Sequence, residues 1–202
     1  MKVLIATSNK HKIEEFSAMF AAAGLHCGVA GADSVAGFSP PVEDGSTFAE
    51  NALIKARALA PLANGAYVMA DDSGIVVDAL GGAPGIYSAR YAGCRGDGAD
   101  RSNNEKLLRE MEGVPDAERS ARFVCAIALV CPGGEEKLFE GKIEGRINRG
   151  EEGLGGFGYD PIFYVPRLGK TTAQLAPEEK NAVSHRGAAF RAMAEFLKQR
   201  EI

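Results

Sequence analysis

The chain opens on an apolar run, Val3 to Ala6, that breaks at once into the polar stretch Thr7 to Lys12 and then into helical spacing. A short apolar run bounded this sharply reads as a buried strand, and Ile13, Phe16 and Phe20 behind it share one helix face. Gly24 is placed to cap that helix, and Cys27 to Ala30 to supply a second strand. Units of this kind pair in parallel. Much later the period changes: Phe123, Cys125, Ile127 and Leu129 alternate at half-buried strand spacing, Pro132-Gly133-Gly134 turns, and Lys137 to Ile147 runs back as an antiparallel partner. A chain carrying both signals has to build a mixed sheet with flanking helices, an α/β fold.

Between these ends, Thr47-Phe48-Ala49-Glu50 is a capping-box pattern that starts a helix reaching about Ala60. Tyr67 to Ala70 and Ile75 to Ala79 read as strands separated by a turn at Asp71-Asp72-Ser73-Gly74. Asp33 to Gly45 and Gly81 to Gly85 read as loops, Asp100 to Met111 as a helix, Pro161 to Val165 as a strand and Ser184 to Gln199 as a last helix. No repeat or linker divides the 202 residues, so the expectation is a single domain over 1–202 with two lobes at most.

The net charge of −4 argues against nucleic acid as a partner, because such proteins carry a basic face; the local pair Lys10 and Lys12 suits a small anion instead. No stretch approaches the ~20 apolar residues a membrane span needs. Cys27, Cys94, Cys125 and Cys131 lack CxxC spacing, so free thiols in a reducing cytoplasm are expected and a zinc site is not.

Four polar motifs carry the chemistry. Thr7-Ser8-Asn9-Lys10-His11-Lys12 lies where a strand gives way to a helix, and unpaired N–H groups there favour anions. Asn9 as a plain helix cap with solvated lysines is the competing reading. Asp71-Asp72-Ser73-Gly74 sets two acids side by side at a strand end, where like charges repel without a cation; Asp-Ser-Gly as an ordinary turn is the alternative. With Glu43, these acids suit Mg²⁺, a hard ion that takes oxygen ligands and keeps several waters. Lys55 shares a helix face with Asn51 and either reaches an anion or faces solvent. Gly153 to Asp160 surrounds Phe157 with glycines, which favours stacking on a flat ring over plugging a core. Ser184-His185-Arg186-Gly187 opens the last helix, with Lys180 one turn earlier; Ser184 as an N-cap and His185 as a surface histidine are its plain readings.

Taken in order, the four motifs resemble the inosine triphosphate pyrophosphatase (Ham1-like) family from about Val3 to about Arg186. The resemblance implies an elongated two-lobed fold around a mixed sheet, with the active site in the cleft between lobes. It assigns the triphosphate to Thr7, Ser8, Asn9, Lys10, His11, Lys12 and Lys55, and makes Asp72 the general base and, with Glu43, a metal ligand. Ser73 becomes a substrate contact. Phe157, Gly158, Tyr159 and Asp160 pack on the purine, beside Lys180 and His185. Arg186 would donate to the C6 carbonyl of hypoxanthine or xanthine, where adenine offers an amino group. Asp71 is open between touching the metal and bracing the turn, and Arg90 in Tyr87-Ser88-Ala89-Arg90-Tyr91 has no assigned role.

The implied activity is Mg²⁺-dependent hydrolysis of ITP, dITP and XTP to monophosphate and pyrophosphate by a cytoplasmic homodimer that clears deaminated purines from the nucleotide pool. Alternatives are a Maf-like pyrophosphatase of other modified nucleotides, a non-catalytic nucleotide sensor and an RNA-binding protein. The Phe157 and Arg186 segments weigh against the first, the Glu43 and Asp72 pair against the second, and the acidic balance against the third.

Overall fold

The computed structural model describes residues 1–94, 96 and 98–200. Its strands form one seven-stranded mixed sheet in the order β2-β1-β3-β4-β5-β6-β7, flanked by helices. The strands are β1 (Lys2–Ile5), β2 (Gly28–Gly31), β3 (Tyr67–Val77), β4 (Ser120–Val130), β5 (Glu136–Ile147), β6 (Phe163–Val165) and β7 (Lys170–Thr171). The helices are α1 (Lys10–Ala22), α2 (Phe48–Leu59), α3 (Ala99–Glu110), α4 (Pro177–Val183) and α5 (His185–Lys198). β1 pairs in parallel with β2 and β3, whereas β6 is antiparallel to β5 and β7. The change of hydrophobic period along the chain is therefore a change of pairing direction.

The chain divides into two compact units. Met1–Asp72, Cys125–Gly141 and the described residues from Arg186 onward make the first; Ser73–Val124 and Lys142–His185 make the second. In the first unit, strand alternation sorts the core into two layers. Val3, Ile5, Met69, Cys125, Ile127 and Leu129 pack with Phe16, Met19 and Phe20 of α1 and Phe190, Met193 and Leu197 of α5. Leu4, Ala6, Val68, Ala70, Ala126 and Ala128 pack on Ala52, Ala56 and Leu59 of α2. Alanine on both sides of the second layer lets helix and sheet approach closely. It also corrects the half-buried reading of β4: the residues between Cys125, Ile127 and Leu129 are small, and they are buried too. The second unit has its own core, with Ile75, Val77, Leu107, Met111, Phe123, Ile147 and Phe163 at its centre.

Local capping follows the sequence. Asn9 accepts a hydrogen bond from Lys12 N at 3.3 Å, and Gly24 takes the left-handed conformation past the end of α1. Thr47 caps α2 by accepting from Glu50 N at 3.1 Å, and the Glu50 carboxylate turns back to the helix start, where it accepts from Ser46 N and Oγ. α4 and β7 are additions to the sequence reading, each being too short for a periodic signal.

The Asp71-Asp72-Ser73-Gly74 segment is not a turn. β3 runs unbroken from Tyr67 to Val77, so the two acids lie inside a strand instead of at its end. The physical reason is twofold. Both carboxylates have cationic or amide partners within the first unit, so neither has to leave the sheet for water. Beyond them, Ser88 Oγ accepts from Ile75 N at 2.9 Å, and a Cβ on Gly74 would stand 2.4 Å from that oxygen, so glycine here serves close approach.

Candidate active site

Consecutive residues of a strand face opposite ways, and this separates the roles of Asp71 and Asp72. Asp71 follows Met69 onto the layer of α1 and α5; Asp72 follows Val68 and Ala70 onto the layer of α2. Each of these helices presents polar residues at the start of the face that continues into buried apolar ones. Lys12 precedes Phe16 on α1, Arg186 precedes Phe190 on α5, and Asn51 precedes Lys55 and Leu59 on α2.

On the first layer, Lys12 Nζ donates to Asp71 Oδ2 at 2.8 Å, and Arg186 Nη2 lies 3.6 Å from the same oxygen. Arg186 Nη1 donates to Glu15 Oε2 at 2.7 Å. Burial pushes the Asp71 carboxyl upward, but Lys12, Arg186 and Lys55 outweigh it and hold the group well below the usual carboxylate range. Burial likewise works against the Arg186 charge, and Asp71 and Glu15 more than restore it. Asp71 is thus an ionised counter-charge that ties two cations together.

On the second layer, Lys55 Nζ stands 3.2 Å from both Asp72 Oδ1 and Glu43 Oε2. Asn51, fully buried, donates from Nδ2 to Asp72 Oδ2 at 3.2 Å, and its Oδ1 accepts from Gly45 N at 2.9 Å. The pair does not move both partners alike. Burial lowers the affinity of Lys55 for its proton, but Asp72, Asp71 and Glu43 together raise it, so Lys55 stays an ammonium. For Asp72, burial is the largest influence and lifts the carboxyl above its ordinary value despite Lys55 and Lys12, with Glu43 adding to the lift. A carboxylate lifted this way binds protons more strongly than a surface aspartate.

In the second unit, Asp160 is the hub of another polar set. Its Oδ2 accepts from Lys180 Nζ at 2.7 Å and from Phe157 N at 2.9 Å, and its Oδ1 accepts from Thr172 Oγ1 at 2.8 Å. The Lys180 ammonium lies 4.8 Å from the centroid of the Phe157 ring. Phe157 is only half-buried, with the backbone around it bent by left-handed glycines at 156 and 158. Tyr159 is buried, and its hydroxyl donates to Ser88 O at 2.7 Å. His185 stacks on Phe123 with centroids 4.8 Å apart, which places it inside the second unit and not at its surface.

The sequence-derived candidates therefore gather in two sets. Lys12, Lys55, Glu43, Asp72 and Arg186 are joined through Asp71 and its neighbour in the first unit. Phe157, Gly158, Tyr159, Asp160 and Lys180 form a connected group in the second. Thr7 accepts from Asn9 N at 3.2 Å and helps shape the helix start, whereas Ser8, Lys10 and His11 are exposed there. Ser73 is half-buried in β3. Arg90 lies over the Tyr87 ring at 5.2 Å. Sequence reasoning missed Glu15, Asn51 and Thr172 as partners of these groups. The signals were slight: Glu15 is three residues from Lys12 on one helix face, and an asparagine inside a helix is disfavoured unless its amide is used.

The chain matches the Ham1 family over residues 3–196. The chain belongs to the Ham1 family. Its relatives in that family include a dITP/XTP pyrophosphatase of Geobacillus kaustophilus, 50% identical over 94% of this chain and 90% of the relative. A dITP/XTP pyrophosphatase of Streptomyces coelicolor is 47% identical over 98% of both chains. Among solved structures, the Ham1 protein of Staphylococcus aureus superposes with a TM-score of 0.85 at 43% identity, covering 99% of this chain and 100% of its own. A HAM1 protein of Coxiella burnetii gives 0.86 at 39% identity over 98% and 99%. This Ham1 member thus shares the whole fold of its relatives. Among the described residues no group of three His, Cys, Asp or Glu is arranged to hold a metal, and no helix is long and apolar enough to cross a membrane.

Proposed function

We propose that this protein hydrolyses dITP, XTP and ITP between the α and β phosphates, releasing the monophosphate and pyrophosphate. The observation that carries the reading is the meeting of Glu43 and Asp72 on the single ammonium of Lys55, each at 3.2 Å. Two carboxylates aimed at one positive point make a donor set that fits Mg²⁺, which is held in nucleotide enzymes by one or two carboxylates together with substrate phosphates and water. Glu43 and Asp72 would hold the ion. When bound it screens the triphosphate and stabilises the leaving pyrophosphate.

The remaining work falls to the chain's own side chains. Asp72 accepts the proton of the attacking water; burial lifts its basicity, and Asn51 fixes the direction of its carboxylate. Lys12, Lys55 and the backbone start of α1, with Thr7 to Lys12 around it, take the phosphate charge. Phe157 stacks on the purine, and Gly158, Tyr159, Asp160, Lys180 and His185 shape the pocket around that ring. Arg186 donates to the C6 carbonyl, and Ser73 contacts the substrate. A homodimer in the cytoplasm goes with this reading.

The test is a panel of dITP, XTP, ITP, dATP and dGTP with Mg²⁺, with pyrophosphate and orthophosphate resolved, run on the wild type and on Asp72→Asn. Expected is pyrophosphate from the first three substrates, with turnover lowered by roughly 10²-fold or more in the variant. Orthophosphate as the product, or near-normal turnover by Asp72→Asn, would overturn the reading.

A further inference from the structure

Phe157 can serve as a stacking platform only if the backbone beneath it is held still, and glycines do the opposite by default. The loop around it has glycines at 153, 155, 156 and 158, three of them with left-handed φ. Asp160 holds Phe157 N from one side. The other side is held from α3, a helix to which the activity assigns nothing. Asp100 Oδ2 accepts from Gly158 N at 2.7 Å, and Asn104 Nδ2 donates to Gly158 O at 3.1 Å. Asp100 and Asn104 are one helical turn apart on a common face, so one rigid element grips both polar groups of a single glycine.

The chemistry of Asn104 points the same way. It is buried, and Nδ2 also donates to Glu151 Oε1 at 3.2 Å, while Oδ1 has no hydrogen-bond partner among the described residues. Leaving a buried acceptor unsatisfied is unfavourable, and turning the amide over would set its oxygen against two acceptors. The residue is therefore placed for its donors. With N–H and C=O of Gly158 both held, the peptide planes on either side of this residue are tethered to α3, and Gly158 is kept at φ +62°.

We propose that Asp100 and Asn104 are positioning residues that clamp Gly158 and so hold the Phe157 ring in register for the purine. This rests on the reading of Phe157 as the base platform. It predicts an effect on base binding and none on the phosphate half of the reaction.

The experiment compares Asp100→Ala, Asn104→Ala, Asp100→Asn and Glu105→Ala with the wild type, using dITP kinetics and inhibition by inosine 5′-monophosphate and by pyrophosphate. Expected for both alanine variants at the clamp is a KM for dITP raised about tenfold, from the lost hydrogen bond to Gly158 in each, with kcat within about twofold of wild type. Inhibition by the monophosphate weakens in parallel, and inhibition by pyrophosphate does not change. Asp100→Asn keeps an oxygen for Gly158 N while removing the charge near the start of α3, so it recovers most of the affinity lost in Asp100→Ala. Glu105→Ala cuts only the exposed Arg101–Glu105 pair on the same helix and leaves KM as it was. An unmoved KM in both clamp variants, equal weakening by both inhibitors, or no recovery by Asp100→Asn would overturn the clamp while an active wild type upheld the activity. An inert wild type would overturn the activity itself and the clamp's role with it.

Discussion

Asp71 and Asp72 are neighbours in sequence with opposite duties, and the pleat of one strand is the cause. Asp71 is buried among cations and stays ionised; Asp72 is lifted by burial and held by Asn51 and Lys55. Arg186 belongs to the Asp71 group, gripped by Glu15, so its guanidinium is pre-oriented before any ligand arrives. If it donates to the C6 carbonyl of the base, an amino group at that position leaves a buried donor unmet. Arg186→Ala is therefore expected to lower the preference for ITP over ATP by roughly tenfold or more, read as the ratio of kcat/KM values. An unchanged ratio would remove Arg186 from base selection. At this scale the sequence exposed the charged residues but not their pairing. Lys12, Asp71 and Arg186 lie in segments with no local signal linking them, and the contact exists only once α1, β3 and α5 share a core.

The helices supply more than apolar faces. Each of α1, α2, α3 and α5 carries polar residues at the start of its inner face, where the core has not yet closed. The caps and helical periods were legible, because they depend on residues three and four apart. The unbroken β3 was not, because Asp-Asp-Ser-Gly is turn chemistry unless partners elsewhere take the charges. A second long-range device is Arg119, buried and hydrogen-bonded, among the described residues, to backbone carbonyls and no carboxylate. Its Nε donates to Ile147 O at 2.8 Å, Nη1 to Met111 O at 2.7 Å and Nη2 to Asn148 O at 2.9 Å. It therefore caps the end of α3 and pins the strand that leads into the Phe157 loop. Arg119→Met keeps the aliphatic bulk and removes the donors, so Ile147 O, Asn148 O and Val114 O lose the guanidinium and Met111 O is left with Val114 N alone. Urea denaturation is expected to show a loss of about 3 kcal/mol or more; a loss under about 1 kcal/mol would mean those carbonyls find water or other donors.

For the molecule as a whole, the buried charge group makes stability depend on acid. In the folded chain Asp71 is buried, which favours the neutral form, but its cations win and its proton affinity falls below the ordinary value of 3.8. The unfolded chain takes up that proton first as pH falls. The stabilisation from Asp71 is therefore complete above 3.8 and is lost progressively below it. Asp71→Asn removes this dependence while leaving Lys12 and Arg186 short of a counter-charge. The variant is expected to lose about 3 kcal/mol near neutral pH yet to fall less steeply than wild type below about pH 4, by urea titration across pH. Parallel curves for the two proteins would show that Asp71 does not govern the acid limb.

In the proposed reaction water attacks the α phosphorus of a deaminated purine triphosphate, so its oxygen ends in the monophosphate. Turnover of dITP in ¹⁸O-labelled water with Mg²⁺ reads this directly in the mass spectrum of the products. Expected is one ¹⁸O in the monophosphate and none in the pyrophosphate. Label in the pyrophosphate, or in released orthophosphate, would contradict it.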